Sequence, residues 1–306
     1  MEPFGKRVLM RETLNIQWFP GHMTKARRMI AENMKNVDAV CEIIDARIPI
    51  SSRNPILGEI IADKPHLIIM NRIDQADPKI TKQWSVEFLK QGCGVLETDC
   101  KSGKGIKAFS GAVHTLLQKQ LDEFAAKGQV GRRLRVMVVG IPNVGKSTFI
   151  NKVAGRKAAV TSDRPGVTRG KQWIGIDSGL ELLDTPGVLW PKFDSQTVGE
   201  NLAFTGAVKD EIMDRMTLAA NLMLRLREEY PNRIEERYKF VPDKEVNGYD
   251  LLASAAKKRG FLISGGELDL ERMSAVLLDE FRGGKLGRIS LEKPMVQENS
   301  HESLGN

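Results

Sequence analysis

Five short apolar runs divide the first two thirds of the chain. They are residues 37–45 (VDAVCEIID), 65–70 (PHLIIM), 94–98 (GVLET), 136–139 (VMVV) and 180–183 (LELL). Each is rich in β-branched or aliphatic residues and gives way to polar or glycine-containing sequence, the signature of a strand buried on both faces. Between them, apolar residues recur at helical spacing. Residues 23–34, 80–90 (Trp84 and Phe88 one turn apart) and 106–126 (Phe109, Val113, Leu116, Leu117, Leu121, Phe124) read as helices. A further helix follows Gly145, with Phe149, Ile150 and Val153 on its buried side. Strands alternating with helices predict a doubly wound α/β fold. Beyond residue 191 the pattern is helical only, over 210–229, 249–258 and 269–282, the last with Asp269 as N-cap and Gly283-Gly284 as C-cap. The expected organisation is an N-terminal segment (1–22), an α/β domain (23–191), a smaller α-helical domain (192–292) and a disordered polar tail (293–306).

The loops at the ends of the runs carry the chemistry. After residues 136–139 comes G-x-x-x-x-G-K-S, Gly140 to Ser147, followed by the helix that such a motif requires. Glycines let the backbone wrap phosphate, and the N–H groups of the loop and helix N-terminus face the anion. Lys146 is expected to reach the β- and γ-phosphates, and the Ser147 hydroxyl to bind Mg²⁺. The plain alternative is a structural glycine turn, which would give the Lys-Ser pair no purpose. Residues 180–183 lead into Asp184-Thr185-Pro186-Gly187, which offers a carboxylate near Mg²⁺ and a glycine N–H for the γ-phosphate. Between these motifs lies a polar segment (TSDRPGVTR, 161–169). Its Thr168 is placed to be a second Mg²⁺ ligand, or is simply a turn threonine.

The run 65–70 passes into Asn71-Arg72-Ile73-Asp74 at a strand's C-terminal end, where open α/β sheets bind ligands. A carboxylate there accepts both the N1–H and the N2 amino group of guanine, a donor pair that adenine lacks. Taken alone, Asn-x-x-Asp is equally an Asx turn. Asp99-Cys100-Lys101, after residues 94–98, is a second candidate base-contacting loop that would use backbone N–H groups.

Composition narrows the setting. Three scattered cysteines (Cys41, Cys93, Cys100) form no metal spacing and suggest a reducing compartment. No apolar run approaches the roughly 18 residues of a membrane span, and residues 1–13 lack a signal-peptide core. Net charge is +7 and unevenly spread: residues 101–171 hold fifteen Lys or Arg against three acids, which favours a polyanionic partner, the plain alternative being a solvated surface that only aids solubility. Residues 209–288 are balanced, with fifteen of each sign.

Taken together, Asn71–Asp74, Gly140–Ser147, Thr168 and Asp184–Gly187 resemble the motif set of Ras-like GTP-binding proteins. Their order is permuted, because the base-reading motif precedes the phosphate loop. A circular permutation preserves the sheet, since domain termini often lie close together. From Ile16-Gln17-Trp18-Phe19-Pro20-Gly21-His22-Met23 onward, the chain resembles the ribosome biogenesis GTPase A family (RbgA, also called YlqF). That resemblance implies GTP hydrolysis coupled to late assembly of the large ribosomal subunit, with the helical domain touching rRNA, no membrane or DNA partner, and a cytoplasmic or organelle-matrix location. It implies that His22 orients the attacking water, because Gly187 is followed by apolar Val188 rather than by a glutamine-bearing loop. It also implies a nucleotide-binding set of Asn71, Arg72, Ile73, Asp74, Asp99, Cys100, Asn143, Val144, Gly145, Lys146, Ser147, Thr148 and Gly187. Lys146, Thr168 and His22 would be catalytic, Ser147, Thr168 and Asp184 would hold Mg²⁺, and Asn143 would bind an activating K⁺. Arg72 stands where lysine is usual and is expected to stack over the base. A GTP-gated RNA-binding module and a signalling GTPase without a ribosomal role remain the alternatives.

Overall fold

The computed structural model describes residues 21–61, 64–129, 131–155, 172–176, 179–190, 193, 195–208 and 214–294, with side chains from residue 27 onward. Within it, β1 (Ala39–Asp45), β2 (His66–Asn71), β3 (Gly94–Glu97), β4 (Leu134–Gly140), β5 (Gln172–Ile176) and β6 (Leu180–Asp184) form one sheet in the order β3-β2-β1-β4-β6-β5. All neighbours are parallel except the edge pair β5 and β6. Each apolar run of the sequence became a strand. The edge strand β5 has no such run: Gln172 and Trp173 are exposed, so half of it is free of the burial that makes a strand visible.

Alternation along β1 sends side chains to two layers. Ala39, Cys41 and Ile43 join a core with Phe109, Val113, Phe149 and Ile150, from α4 (Phe109–Leu116) and α6 (Lys146–Ala154). Val40 meets Ile30 of α1 (Gly21–Asn33) and Leu57 and Ile61 of α2 (Pro55–Ile61). Ile44 meets Trp84 and Phe88 of α3 (Pro78–Lys90), where the two rings stack 5.5 Å apart. Helices thus cover both faces, as a doubly wound sheet requires.

Two expected helices differ in outline. The run 106–126 is a 3₁₀ turn, then α4, then α5 (Gln118–Ala126), with a break at Leu117. Leu117 is the last fully buried residue of the run and α5 buries none of its own, so the chain leaves the sheet there. The helix expected over 210–229 is described as α8 (Arg215–Glu229), starting where Asp214 accepts the amides of Met216 (3.0 Å) and Thr217 (3.4 Å). Such a cap ends the need for further helix upstream; residues 209–213 lie outside the described set.

Three helices carry no strong sequence signal: α2, α7 (Gln196–Phe204) and α9 (Pro231–Tyr238). With α10 (Gly248–Arg259) and α11 (Leu270–Arg282), α8 forms a packed cluster whose core is continuous with that of the sheet. Asp269 caps α11 as expected, accepting the amide of Arg272 at 2.9 Å. Among the described residues no helix is long and apolar enough to cross a membrane.

Candidate active site

The motifs converge at the C-terminal ends of β4, β2 and β6. The phosphate loop leaves β4 at Gly140 and enters α6 at Lys146. Gly145 has φ +100, and a Cβ there would stand 2.3 Å from the Asn71 amide nitrogen, so glycine is required by both conformation and approach. Asn71 explains that approach. Its amide donates to Val144 O (2.8 Å), while its Oδ1 accepts from Cys100 N (3.1 Å) and Thr98 Oγ1 (3.4 Å). One buried side chain therefore ties the phosphate loop to both candidate base loops. The amide of Cys100, one of the backbone N–H groups of the second loop, donates to Asn71. The Asp99 carboxylate closes its own loop on Lys101 N (2.8 Å). Burial would raise Asp99, but hydrogen bonds from Ser102 and Lys101 hold its carboxyl below the usual range. Burial pushes the Cys100 thiol up to about 12, so it stays neutral.

On the phosphate side, Lys146 is buried and donates to Asp184 Oδ1 at 2.8 Å. Lys146 opens α6 after the loop that leaves β4, and Asp184 ends β6, the parallel neighbour of β4, with Val138 of β4 lying opposite Asp184. A triphosphate entering here would meet a lysine already aligned and would compete with Asp184 for it. Ser147 and Thr148 stand half-buried at the start of α6. Gly187 packs on the loop so closely that a Cβ would lie 2.9 Å from Pro142 N, and the next residue, Val188, donates its amide to Gly140 O (3.2 Å). Val188, Leu189 and Trp190 are all buried, so none is free to orient water. Asn54 reinforces this turn by donating to Val188 O (3.0 Å).

Two non-glycine residues of the site adopt left-handed backbone, Arg72 (φ 64) and Asn143 (φ 59), and they touch. Arg72 Nη2 donates to Asn143 O at 2.7 Å, and its Nε lies 3.6 Å from Asp45 Oδ2. The guanidinium is thus fastened to the phosphate loop and to β1. Asn143 donates through Nδ2 to Gly206 O (2.8 Å), so only its carbonyl oxygen could serve a cation. Asp74 is exposed and Ile73 half-buried.

Asp45 and Arg47 were not singled out by the sequence. Arg47 is almost fully buried and binds Asp45 through Nε (2.9 Å) and Nη2 (2.7 Å). Burial alone would raise the Asp45 carboxyl, but Arg47 and then Arg72 hold it below the ordinary value. The available signal was a carboxylate closing an apolar strand, followed two residues later by arginine. His22 opens α1, with its side chain outside the described residues, and Thr168 lies outside them entirely.

Comparisons with known proteins agree with this arrangement. A family model described as "50S ribosome-binding GTPase" matches residues 135–243. The protein of Bacillus cereus named ribosome biogenesis GTPase A is 46% identical over 281 residues, covering 91% of this chain and 94% of the relative. Its namesake in Priestia megaterium is 45% identical over 288 residues, covering 93% of this chain and 99% of the relative. The crystal structure of GNP-bound YlqF from T. maritima aligns with a TM-score of 0.60 at 31% identity, covering 89% of this chain and 99% of that one. The chain belongs to the ribosome biogenesis GTPase A family, and is a GTPase whose base-reading motif precedes its phosphate loop.

Proposed function

We propose that this GTPase acts as an assembly factor in late maturation of the large ribosomal subunit, using GTP hydrolysis to report or trigger its own release. The observation that carries the reading is Asn71, which joins the phosphate loop to the base loops in a chain whose relatives are named for ribosome biogenesis. Asp74 accepts the guanine donor pair. Lys146 leaves Asp184 for the β- and γ-phosphates, and the loop amides hold the same charge. Oxygen donors at Ser147 and Asp184 suit Mg²⁺, a hard cation that prefers such ligands, with Thr168 as a further donor. When bound, Mg²⁺ neutralises charge developing on the phosphates.

Because the residue after Gly187 is turned into the core, water must be oriented from elsewhere, and His22 is assigned that role. It positions or polarises water once a ribosomal partner engages the N-terminal segment that carries it. Asn143 Oδ1 supplies a K⁺ ligand, adding positive charge where an arginine would otherwise act. The basic excess of residues 101–171 and the helical cluster provide the RNA-facing surface, in a cytoplasmic or organelle-matrix setting.

The test is GTP turnover of wild type and His22→Ala with and without purified large ribosomal subunits, in K⁺ and in Na⁺. Wild type should be stimulated by subunits, more strongly in K⁺. His22→Ala should keep nucleotide affinity and lose about 10²-fold or more of the stimulated rate, the usual scale for a positioned proton-handling group. Absence of stimulation with intact GTP binding would remove the ribosomal reading, and unchanged His22→Ala turnover would remove the residue's role.

A further inference from the structure

The residues directly after the guanine motif are held by the far end of the chain. Residues 289–292 run as an extended strap between the helical cluster and the sheet. Ile289 N donates to Gln75 O (2.8 Å), one residue after Asp74. Ser290 Oγ accepts from Asp77 N at 3.0 Å. Leu291 N donates to Arg47 O (2.8 Å), in the residue whose side chain holds Asp45 and, through it, Arg72. Trp84 Nε1 donates to Glu292 O at 3.0 Å.

The other edge of the strap belongs to α8 and the residue that ends it. The Tyr230 hydroxyl donates to Ser290 O and accepts from Ser290 N, both at 3.0 Å. Arg225 donates to Leu291 O at 2.6 Å. The Glu292 side chain closes the end. Its carboxylate accepts from Ile50 N (2.6 Å), Ser51 N (3.0 Å), the Ser51 hydroxyl and Asn201 Nδ2 (3.1 Å). All four partners are donors, which suits an ionised carboxylate and not a side-chain amide.

A backbone held on both edges transmits displacement from one to the other. The guanine loop has little packing of its own at Asp74, which is exposed, so its position depends on the anchors at Gln75, Asp77 and Arg47. We propose that residues 289–292 are a positioning strap for the guanine-reading loop, with Glu292 as its lock, so that shifting the helical cluster loosens the grip on guanine. Resting on the assignment of residues 71–74 to guanine, this gives a partner bound to the helical cluster a direct way to speed release of guanine nucleotide. Neither Glu292 nor Tyr230 touches nucleotide; both act through the loop.

The strap can be cut at either edge in the full-length chain. Glu292→Gln puts an amide against N–H donors and weakens the strap's tie to the Ile50–Ser51 turn, whereas Tyr230→Phe removes both hydroxyl bonds to Ser290 and changes no shape. Dissociation of fluorescent GDP and IDP would be followed for each variant and wild type, with Mg²⁺ present. IDP lacks the 2-amino group and so reports how well Asp74 is placed. Both variants should release GDP on the order of tenfold faster, the scale of losing one or two buried hydrogen bonds. They should accelerate IDP release less, because hypoxanthine keeps N1–H but has no amino group to lose, so the GDP-over-IDP preference shrinks. Wild-type GDP release in either variant overturns the strap, and so does equal acceleration of GDP and IDP, which means general loosening. Failure of wild type to prefer GDP over IDP overturns the guanine assignment itself.

Discussion

On the phosphate side, Lys146 meets Asp184 between adjacent strands, and Gly187 seats on Pro142 within the same layer of loops. Every group named there comes from β4, β6 and the residues that follow them. On the guanine side, Asp74 is exposed, Arg72 is fastened to Asn143 and Asp45, and the next residues hang on Ile289 and Ser290, more than two hundred positions away. One half of the site is complete within the sheet that carries it. The other is completed by the C-terminal helices. On the proposed assignment of the site and strap, the phosphate grip stays fixed while the base grip is adjusted from outside, which would separate catalysis from nucleotide release.

The largest expected effect removes the fixed half. Lys146→Ala should cost roughly 10³-fold in GTP affinity, about 4 kcal/mol, since it deletes a buried cation facing two phosphates and leaves Asp184 unpaired. Equilibrium titration with fluorescent GTP checks this; near-normal affinity would place the phosphates elsewhere. The strap variants have a smaller expected effect, on the order of tenfold, and should touch only the base side.

The smallest effect concerns the helices that hold the strap. Glu280 on α11 is buried and accepts from Arg237, Tyr238 and Arg259, joining α9, α10 and α11. Burial would raise its carboxyl, but Arg237 first, then Tyr238 and Arg259, keep it below the ordinary glutamate value. A depressed folded value means stability that is fully present above the unfolded carboxylate range and lost as pH falls through the folded value. Glu280→Gln should therefore destabilise at neutral pH by about 1 kcal/mol, a modest figure because the arginines are about a third exposed. The gap from wild type should close towards pH 4 and below, read from Tm against pH. A gap that widens on acidification would reverse the sign of the argument.

The phosphate half was legible because its residues are adjacent in sequence and their types are dictated by the chemistry. A glycine at which a Cβ would stand 2.3 Å from the Asn71 amide nitrogen, and a lysine at a helix start, have few other uses. The sheet was legible because buried parallel strands are continuously apolar, while β5, half exposed, was not. Asn71 was found as a motif, but its double role, Val144 on one side and Cys100 on the other, was not. The break at Leu117 was hidden because helical spacing continues across it. Glu292 was silent for a physical reason: it is an ordinary charged residue whose partners are backbone amides and distant side chains, and backbone groups leave no mark on sequence; Arg47 left only its spacing from Asp45.

The central claim is that Asp74, at the end of a loop held from both sides, selects the base. The direct measurement is the affinity of wild type and Asp74→Asn for GTP and xanthosine triphosphate. Xanthine presents an oxygen where guanine presents its amino group, so asparagine can donate to it. The account predicts that the substitution weakens GTP by about two orders of magnitude, the cost of leaving paired polar groups unsatisfied, and strengthens xanthosine triphosphate. Unchanged GTP affinity with no gain for xanthosine triphosphate would contradict it.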